Sequence, residues 1–495
     1  MITTIAMFGI WKAGAVYCPI NFNYKGKLLS HQLHDTKPKM LISERQMVPL
    51  LNEIVSELSP LPVILHDPKV NDHDYKEDLA NVELDRTFSA ISFTEFLKEN
   101  LDNPDIEISY DDTANIIYTS GTTGPAKGVV QSYRWIHGYT YMFRVFNKQE
   151  DVIYNDLPMY HVGGAFALVA RGAFLGCTVA LWDKFSPTDF WKRIEISRAS
   201  NAILLDVMIP WLMNQKPTEN DRYNTLNRVH MQPLPKHHHE VAKRFGIDFV
   251  SAGFGQTESG NGFVGIIDEL AKGEGTPKEL YKGYTKEESI AIAEELNIPL
   301  KKGQEDLPKG YMGHTSPFYE GIILNERDEE CSVGETGQLA LRPRFPQVLF
   351  KEYFNAPSAT LEVVKNLWFH TGDVGYKGED NTFYFVDRMK DVIRHKGENI
   401  SSYQIEDMIN QHEHVEVCAA FPVPAAEGDE DDIVVYVVPK TNEIDMEALD
   451  EWIKQTMPKF MWPKFICSIP DLPRTATNKV EKYKLKAKFQ IEQGV

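Results

Sequence analysis

The run from Thr119 to Gly128, TSGTTGPAKG, places four hydroxyl side chains, three glycines and one lysine, Lys127, within ten residues. Small residues let backbone N–H groups approach an anion, the hydroxyls add donors and the lysine adds a point charge, so polyphosphate is the ligand that suits such a loop. It is not a Walker loop, which needs Gly directly before the lysine and Ser or Thr directly after it. Here Lys127 lies between Ala126 and Gly128. A dinucleotide fingerprint fails at Gly253–Glu258 for want of a third glycine, and no Gly-x-Ser-x-Gly elbow supplies an esterase serine.

Three further clusters carry complementary chemistry. In FGQTES, Phe254 offers an apolar face for a base, Thr257 a hydroxyl for a phosphate oxygen and Glu258 a carboxylate for Mg²⁺. In FHTGDVG, the two oxygens of Asp373 can accept from both hydroxyls of a ribose. In FVDRMKDVIRHKGENIS, Arg388 and Lys390 stand where that ribose and its phosphate would be gripped. Singly these clusters read as a turn, a helix cap or a solvated charge run; jointly they describe base, ribose, phosphates and metal.

At 495 residues the chain exceeds one compact core. With 42% hydrophobic and 25% charged residues it has the composition of an ordinary soluble globular protein. A formal net charge of −19 argues against nucleic-acid and anionic-membrane partners, so an anionic ligand must be met by local positive charge. Five scattered cysteines suggest neither a disulfide framework nor a zinc ribbon and fit a reducing cytoplasm. No segment has the uninterrupted apolar length of a membrane span.

Alternating apolar segments and helical patterns predict an α/β fold. ANIIYTS reads as a strand feeding the Gly-rich loop, and Ile136, Tyr139, Phe143 and Phe146 recur at helical spacing beyond it. GCTVALW reads as a second strand, followed by a helix through Trp191. After the charged stretch DRMKDVIRHKGENIS the rhythm changes: a helix near Ser402–Gln411, strands VEVCAAFPV and DIVVYVVP, a helix over Met446–Thr456 and a strand KFICSIP describe a small α+β domain.

Taken in order, the four clusters resemble the adenylate-forming superfamily of acyl-CoA synthetases, adenylation domains and luciferases, and LPRTATNKVEKYKL resembles its C-terminal motif with the catalytic lysine. The run NLWFHTGDVGY with FYFVDRMKDVIRHKGENIS looks closest to the crotonobetaine/carnitine–CoA ligase branch. The resemblance implies a large multi-subdomain α/β N-terminal domain (1–388), a hinge (389–390) and a small mobile α+β C-terminal domain (391–495). It implies ATP, Mg²⁺ and coenzyme A as co-reactants and a small or medium carboxylic acid as substrate. That acid would be activated as acyl-AMP with release of pyrophosphate, then passed to CoA with release of AMP. A homodimer is possible.

By position, the resemblance assigns Thr119, Ser120, Gly121, Thr122, Thr123, Gly124 and Lys127 to the β/γ phosphates, and Phe254, Gly255 and Gln256 to the nucleotide. Thr257 would contact the α-phosphate, Glu258 would hold Mg²⁺, Asp373 and Arg388 would bind ribose, and Lys390 falls at the hinge. Lys479 would bridge the carboxylate and the α-phosphate. His161 would gate the passage between acyl pocket and CoA tunnel, and Gly397 would line that tunnel. A carboxylate is already ionised at neutral pH, so the first step needs charge neutralisation and alignment rather than a base. Alternatives are transfer to a carrier protein, a light-emitting oxygenase, or a binding-only relative that retains the fold without turnover.

Departures from the family pattern carry their own expectations. The chain begins at the helix-like run AMFGIWKAGAVYCPIN, which family members reach only after a further N-terminal segment; either the start is an internal methionine or a subdomain is shortened. Asn478 replaces Gly before the catalytic lysine, and Phe254 replaces Tyr. Met231 and Gln232 replace the small residues that border the adenine and acyl sites and are expected to narrow or reshape the acyl pocket. Pro277–Leu300 reads as a surface helical excursion, decoration rather than a cover for that pocket. His237, His238 and His239 read as a solvated helix face rather than a metal site. Asp206 reads as the cap of a helix starting at Val207, ahead of a contact with a cationic substrate group.

Overall fold

The computed structural model describes every residue except 71, 73, 74, 80, 99–101, 120–125, 396–397, 426–430, 442–443, 476–479 and 494–495. Two kinds of strand pairing organise it. Val152–Asn155, Asn201–Leu205, Arg228–Gln232 and Phe249–Gln256 lie side by side in parallel, with Thr178–Leu181 at the outer edge. Phe249–Gln256 then turns back antiparallel into Gly260–Asp268, and the sheet continues through Tyr311–Thr315, Phe383–Arg388, Trp368–Lys377, Gly337–Pro343 and Tyr319–Leu324. Every residue of Gly260–Asp268 is buried, the continuous burial required of a strand at the centre of a covered sheet. With helices packed on it, this is the mixed α/β architecture expected, a large N-terminal domain and a small C-terminal one.

A second sheet sets Thr113–Thr119 against Lys127–Ser132, which in turn pairs with Glu352–Tyr353. The strand expected at ANIIYTS is therefore present, and the helix beyond it spans Tyr133–Arg144, begun by Ser132, whose hydroxyl accepts from the Trp135 N–H. Phe146 falls past the end of that helix. The N-terminal helix is shorter than its apolar run suggests: it covers Ile2–Lys12 and stops before Gly14, whose φ of +67° a helix cannot continue.

The C-terminal pattern reads as expected. Ser402–Ile409 and Met446–Thr456 are helices, and Val415–Pro424, Asp431–Pro439 and Phe465–Ser468 form one sheet. Residues Met446–Thr456 start at Asp445, whose carboxylate accepts from the Glu447 and Ala448 N–H groups. The join to the large sheet is polar. Asp387, fully buried, accepts from the backbone N–H and the hydroxyl of Ser402, each at 2.6 Å. Lys482 donates to Ser402 Oγ and pairs with Glu406 Oε1 at 2.8 Å, both side chains about a tenth exposed (10% and 11%).

Breaking that buried pair leaves a carboxylate unmatched. Lys482→Met is expected to destabilise the C-terminal part by about 3–5 kcal/mol, with the double change Lys482→Met/Glu406→Gln recovering a portion. Thermal unfolding of the two variants beside the parent protein checks it.

Candidate active site

Strands that run parallel deliver their C-terminal ends to one edge, and a ligand crevice forms where strand order changes. The residues leading out of that edge are Asn155 toward His161, Leu205 toward Asp206, Gln232 toward Pro233, and Gln256 toward Thr257 and Glu258. The last of these is the turn at which the parallel half becomes antiparallel.

Three successive carbonyls of that turn are each taken by a different part of the molecule. Thr257 O accepts from Gln131 Nε2 at 2.7 Å. Glu258 O accepts from Trp135 Nε1 at 3.1 Å and from the Phe350 N–H at 2.8 Å. Ser259 O faces the Tyr319 hydroxyl at 2.6 Å, whose single proton it shares with Val348 O at the same distance. Gln131 is itself in reach of Asn115 at 3.5 Å, and Asn115 Oδ1 accepts from Trp11 Nε1 at 3.0 Å. Buried hydrogen-bonding groups left unpaired cost about 1–3 kcal/mol each, so the turn has one geometry.

The side chains follow from that fixed backbone. Glu258 Oε1 accepts from the Tyr353 hydroxyl at 2.8 Å, and burial, reinforced by this carboxylate, raises the phenol pKa well above its ordinary range. Lys127 lies over the Tyr353 ring, Nζ 5.2 Å from its centre, so loop lysine and turn carboxylate flank one aromatic ring. Gln256 Nε2 donates to Asp373 Oδ2 at 2.6 Å and to Thr371 O at 2.9 Å. Asp373 and Arg388 are paired across adjacent strands, Trp368–Lys377 and Phe383–Arg388. Thr119 and Lys127 are likewise paired, bringing together the two ends of the Gly-rich run. Lys390 lies just beyond; crowding by protein lowers its pKa to about 8, Asp391 opposing and Arg388 adding to the shift.

Thr257, Glu258, Gly255, Gln256, Asp373, Arg388, Lys127 and Thr119 are thus placed by one turn and two strand pairs. Phe254 is only 8% exposed, packed against Phe263 and stacked on Phe385 at 6.3 Å. His161 accepts from the Gly163 N–H at Nδ1 (3.2 Å), which leaves Nε2 to carry the proton of a neutral ring. The helical run that follows, Gly163–Ala170 continued by Arg171–Leu175, is keyed to its neighbours at Gly164. A Cβ there would meet Leu157 O and Pro158 O at 2.5 Å, and Gly164 O accepts from Asn155 Nδ2 at 3.2 Å. Ser120, Gly121, Thr122, Thr123, Gly124, Gly397, Asn478 and Lys479 lie outside the described residues.

The residues present fit ATP and Mg²⁺. Gln256 Oε1 is buried with no hydrogen-bond partner beside the Asp373 carboxylate, an acceptor suited to a nucleoside donor. Among the described residues no three His, Cys, Asp or Glu side chains gather as a metal cage. Mg²⁺ bound by one or two carboxylates and by phosphate oxygens needs no such cage.

Four readings from sequence are corrected here. Met231 is fully buried in the core of the parallel half; on that strand His230 and Gln232 take the opposite face, and Met231 narrows nothing. Asp206 caps no helix: Met208–Met213 begins after Val207 without a side-chain cap, and the charges near Asp206 are Lys309, Asp407 and His237. His238 and His239 are not a solvated face, because their Nδ1 atoms meet the two oxygens of fully buried Glu269 at 2.6 and 3.0 Å. The Pro277–Leu300 excursion is more than decoration. Its helix Lys286–Glu295, begun by a capping box at Thr285 and Glu288, buries Ser289 and Ala293 against the sheet.

That helix adds Ser289 to the wall of a cavity of about 50 Å³, whose largely apolar lining also carries Arg171, Arg228, His230, Ser251 and Asn261. None of these was singled out from sequence. The signal for Arg171 is a charge inside the apolar helix run GGAFALVARGAF, as Asp206 is a charge in an apolar run; nothing local distinguishes Arg228 or His230 from strand residues.

Among the described residues no helix is long and apolar enough to cross a membrane. The AMP-binding enzyme profile matches residues 3–354, and the AMP-binding enzyme C-terminal domain profile matches residues 404–479. The chain is 27% identical over 491 residues to a crotonobetaine/carnitine–CoA ligase of Escherichia fergusonii, spanning 97% of this chain and 85% of that one. In fold it is similar to an anthranilate CoA ligase in complex with anthranoyl-AMP (TM-score 0.76, 19% identity, 99% of this chain and 86% of that one). ATP-bound MatB from Rhodopseudomonas palustris is similar as well (TM-score 0.74, 20% identity, 98% and 86%). With both profiles falling in order along one chain, and the first covering most of it, this protein belongs to the AMP-binding enzyme family.

Proposed function

We propose that the chain is an ATP-dependent acid–CoA ligase for a small or medium carboxylic acid. In the first half-reaction a carboxylate oxygen attacks the α-phosphorus of ATP, the bond to the bridging oxygen breaks, and acyl-AMP and pyrophosphate form. In the second the thiol sulfur of CoA attacks the acyl carbon, loses its proton and expels AMP.

The observation that carries this reading is the junction at Gln256–Ser259. Its backbone is held from several sides, and it sets the Glu258 carboxylate on the hydroxyl of Tyr353, whose ring Lys127 overlies, and Gln256 against Asp373. The work of such a site is to neutralise repulsion between two anions and hold them in line. Mg²⁺ at Glu258, when bound, supplies charge neutralisation to the phosphates. Lys127 and the Thr119 hydroxyl serve the same phosphates, Asp373 and Arg388 orient the ribose, and Gln256 orients Asp373. His161, with its Nδ1 engaged, stands as the gate between acid and thiol, and Lys479 as the lysine that joins carboxylate and phosphate. Residues 391–495 turn about 389–390 between the two half-reactions, since a lysine that bridges the first set of anions blocks the approach of a long thiol arm.

Pyrophosphate release is the test, measured with ATP and Mg²⁺ against short, medium, aromatic and betaine acids, with and without CoA. Turnover that becomes continuous only when CoA is added is expected; release that continues only with a carrier protein would replace CoA as acceptor. Lys479→Ala is expected to lose adenylation and to keep most of the thioester step when acyl-AMP is supplied. Equal loss of both half-reactions would remove the role given to that lysine. Tyr353→Phe frees one Glu258 oxygen from its hydrogen bond and is expected to raise the Mg²⁺ concentration needed for half-maximal release about tenfold, about 1.4 kcal/mol. An unchanged Mg²⁺ requirement would separate Tyr353 from metal binding.

A further inference from the structure

The cavity walled largely by apolar side chains, Phe143, Phe146 and Phe249 among them, also takes in two buried arginines, an unusual feature for a place that would receive an acyl chain. Arg171 is 4% exposed and Arg228 7%, and both line it. Arg228 is largely satisfied by the excursion: Nη1 donates to Asn227 Oδ1 and Lys282 O, and Nη2 to Tyr284 O and Ser289 Oγ. Arg171 is not. Its Nε and Nη2 are buried with no hydrogen-bond partner, as is Arg228 Nε, and its plane lies over the Phe143 ring at 5.6 Å. The remaining polar groups do not cancel this charge. Burial holds His230 neutral, its pKa lowered to about 4, with its ring nitrogens against Ser251 Oγ and Gln232 Oε1.

The two nearby carboxylates take their hydrogen bonds from other groups, although Asp151 acts on Arg171 through space. Asp151, fully buried, accepts from Ser200 Oγ at 2.6 Å, Asn201 Nδ2, Asn147 Nδ2 and the Lys148 N–H. Asp248 accepts from the Thr276 N–H at 3.0 Å. Burial lowers the pKa of Arg171 to about 10, with Asp151 opposing the shift, so the guanidinium is still a cation at neutral pH. A buried cation whose donors are unmet is costly unless an anion completes it.

The cavity and the site are built on the same strands. Asn261, in its lining, pairs in register with Gly255, next to the turn that carries Thr257 and Glu258. Phe249 and Ser251 line it from the same face of the strand as Gly253 and Gly255, since alternate residues share a face. From the other side, Arg171 follows His161 by ten residues of a largely helical run, at most about 15 Å. The room is small. At about 10–15 Å³ per water, 50 Å³ takes about three to five water-sized groups, enough for a carboxylate.

We infer that the deep end of the acid pocket is an anion receptor built by Arg171, Arg228 and Asn261, and that the substrate is an acid bearing a second, terminal carboxylate on a spacer. This rests on the ligase reading, and names the substrate class for it. The same receptor repels an acid with a fixed cationic tail, so the betaine acids suggested by the resemblance to crotonobetaine/carnitine–CoA ligases are excluded. The excursion around Lys286–Glu295 then has a role, because its carbonyls and Ser289 hold Arg228 in place.

The test compares kcat/KM for pyrophosphate release with glutarate and adipate, with pentanoate and hexanoate, and with 4-trimethylammoniobutanoate, on the parent enzyme and on Arg171→Leu. The dicarboxylates are expected to be preferred by about tenfold or more. Arg171→Leu is expected to invert that order in favour of the alkyl acids, and Arg171→Lys, which keeps the charge and serves if the leucine variant does not fold, to retain part of the preference. Preference of the parent enzyme for alkyl or betaine acids, or an equal loss on every acid in the variant, overturns the inference and leaves the ligase reading standing. If no acid is turned over, the ligase reading fails and binding decides the receptor. A rise in Tm caused by adipate in the parent protein and absent in the variant sustains it. An equal rise in both proteins, or none in the parent, overturns it.

Discussion

Three carbonyl oxygens in a row, those of Thr257, Glu258 and Ser259, are the constraint on which the rest of the molecule converges. A reversal from parallel to antiparallel pairing exposes backbone acceptors in the interior, where each must be met. Here they are met by a glutamine from the second sheet, a tryptophan from the helix behind it, a backbone N–H from the 350 region and a tyrosine from the antiparallel half. The second sheet, the helix and both halves of the main sheet are thereby referred to one point. The chemistry expected of Glu258 needs that: a carboxylate that holds a metal must not drift relative to the loop lysine over the Tyr353 ring.

Much of the architecture was legible in the sequence because it is local. Local pattern sufficed to find a helix around Met446–Thr456, and the apolar run ANIIYTS to find the strand Thr113–Thr119. The nucleotide motifs were legible for the same reason, each being a few contiguous residues whose side chains share one purpose. What failed depended on partners distant in sequence. His238 and His239 look like a solvated run until Glu269, thirty-one and thirty residues on, arrives beneath them. Met231 looks like a pocket residue until the face of its strand is known, and a shift of one residue reverses that face.

The excursion at Pro277–Leu300 is the instructive case. Its composition is that of a polar surface element, and by composition alone decoration is the sound reading. Its contribution lies in backbone carbonyls, Lys282 O and Tyr284 O, and in one serine, Ser289, none of which composition registers. Arg228 could not be buried without them. An insertion that looks dispensable by side-chain type is tied by main-chain acceptors to the interior of the sheet.

Gly164 carries a consequence of another kind. With Leu157 O and Pro158 O at 2.5 Å from where its Cβ would lie, the start of the helical run is pressed against the segment that leads to His161, and ten residues after His161 the same run presents Arg171. On the proposed reading, the two ends of the acid pocket are marked off along a single piece of main chain, as graduations are on a ruler. A pocket walled by unrelated side chains can lengthen or shorten by rotamer changes, whereas one measured along a helix can change only in steps of the helix itself. Selectivity for chain length would then reside in the backbone, and the side chains between the marks would be free to vary without recalibrating it.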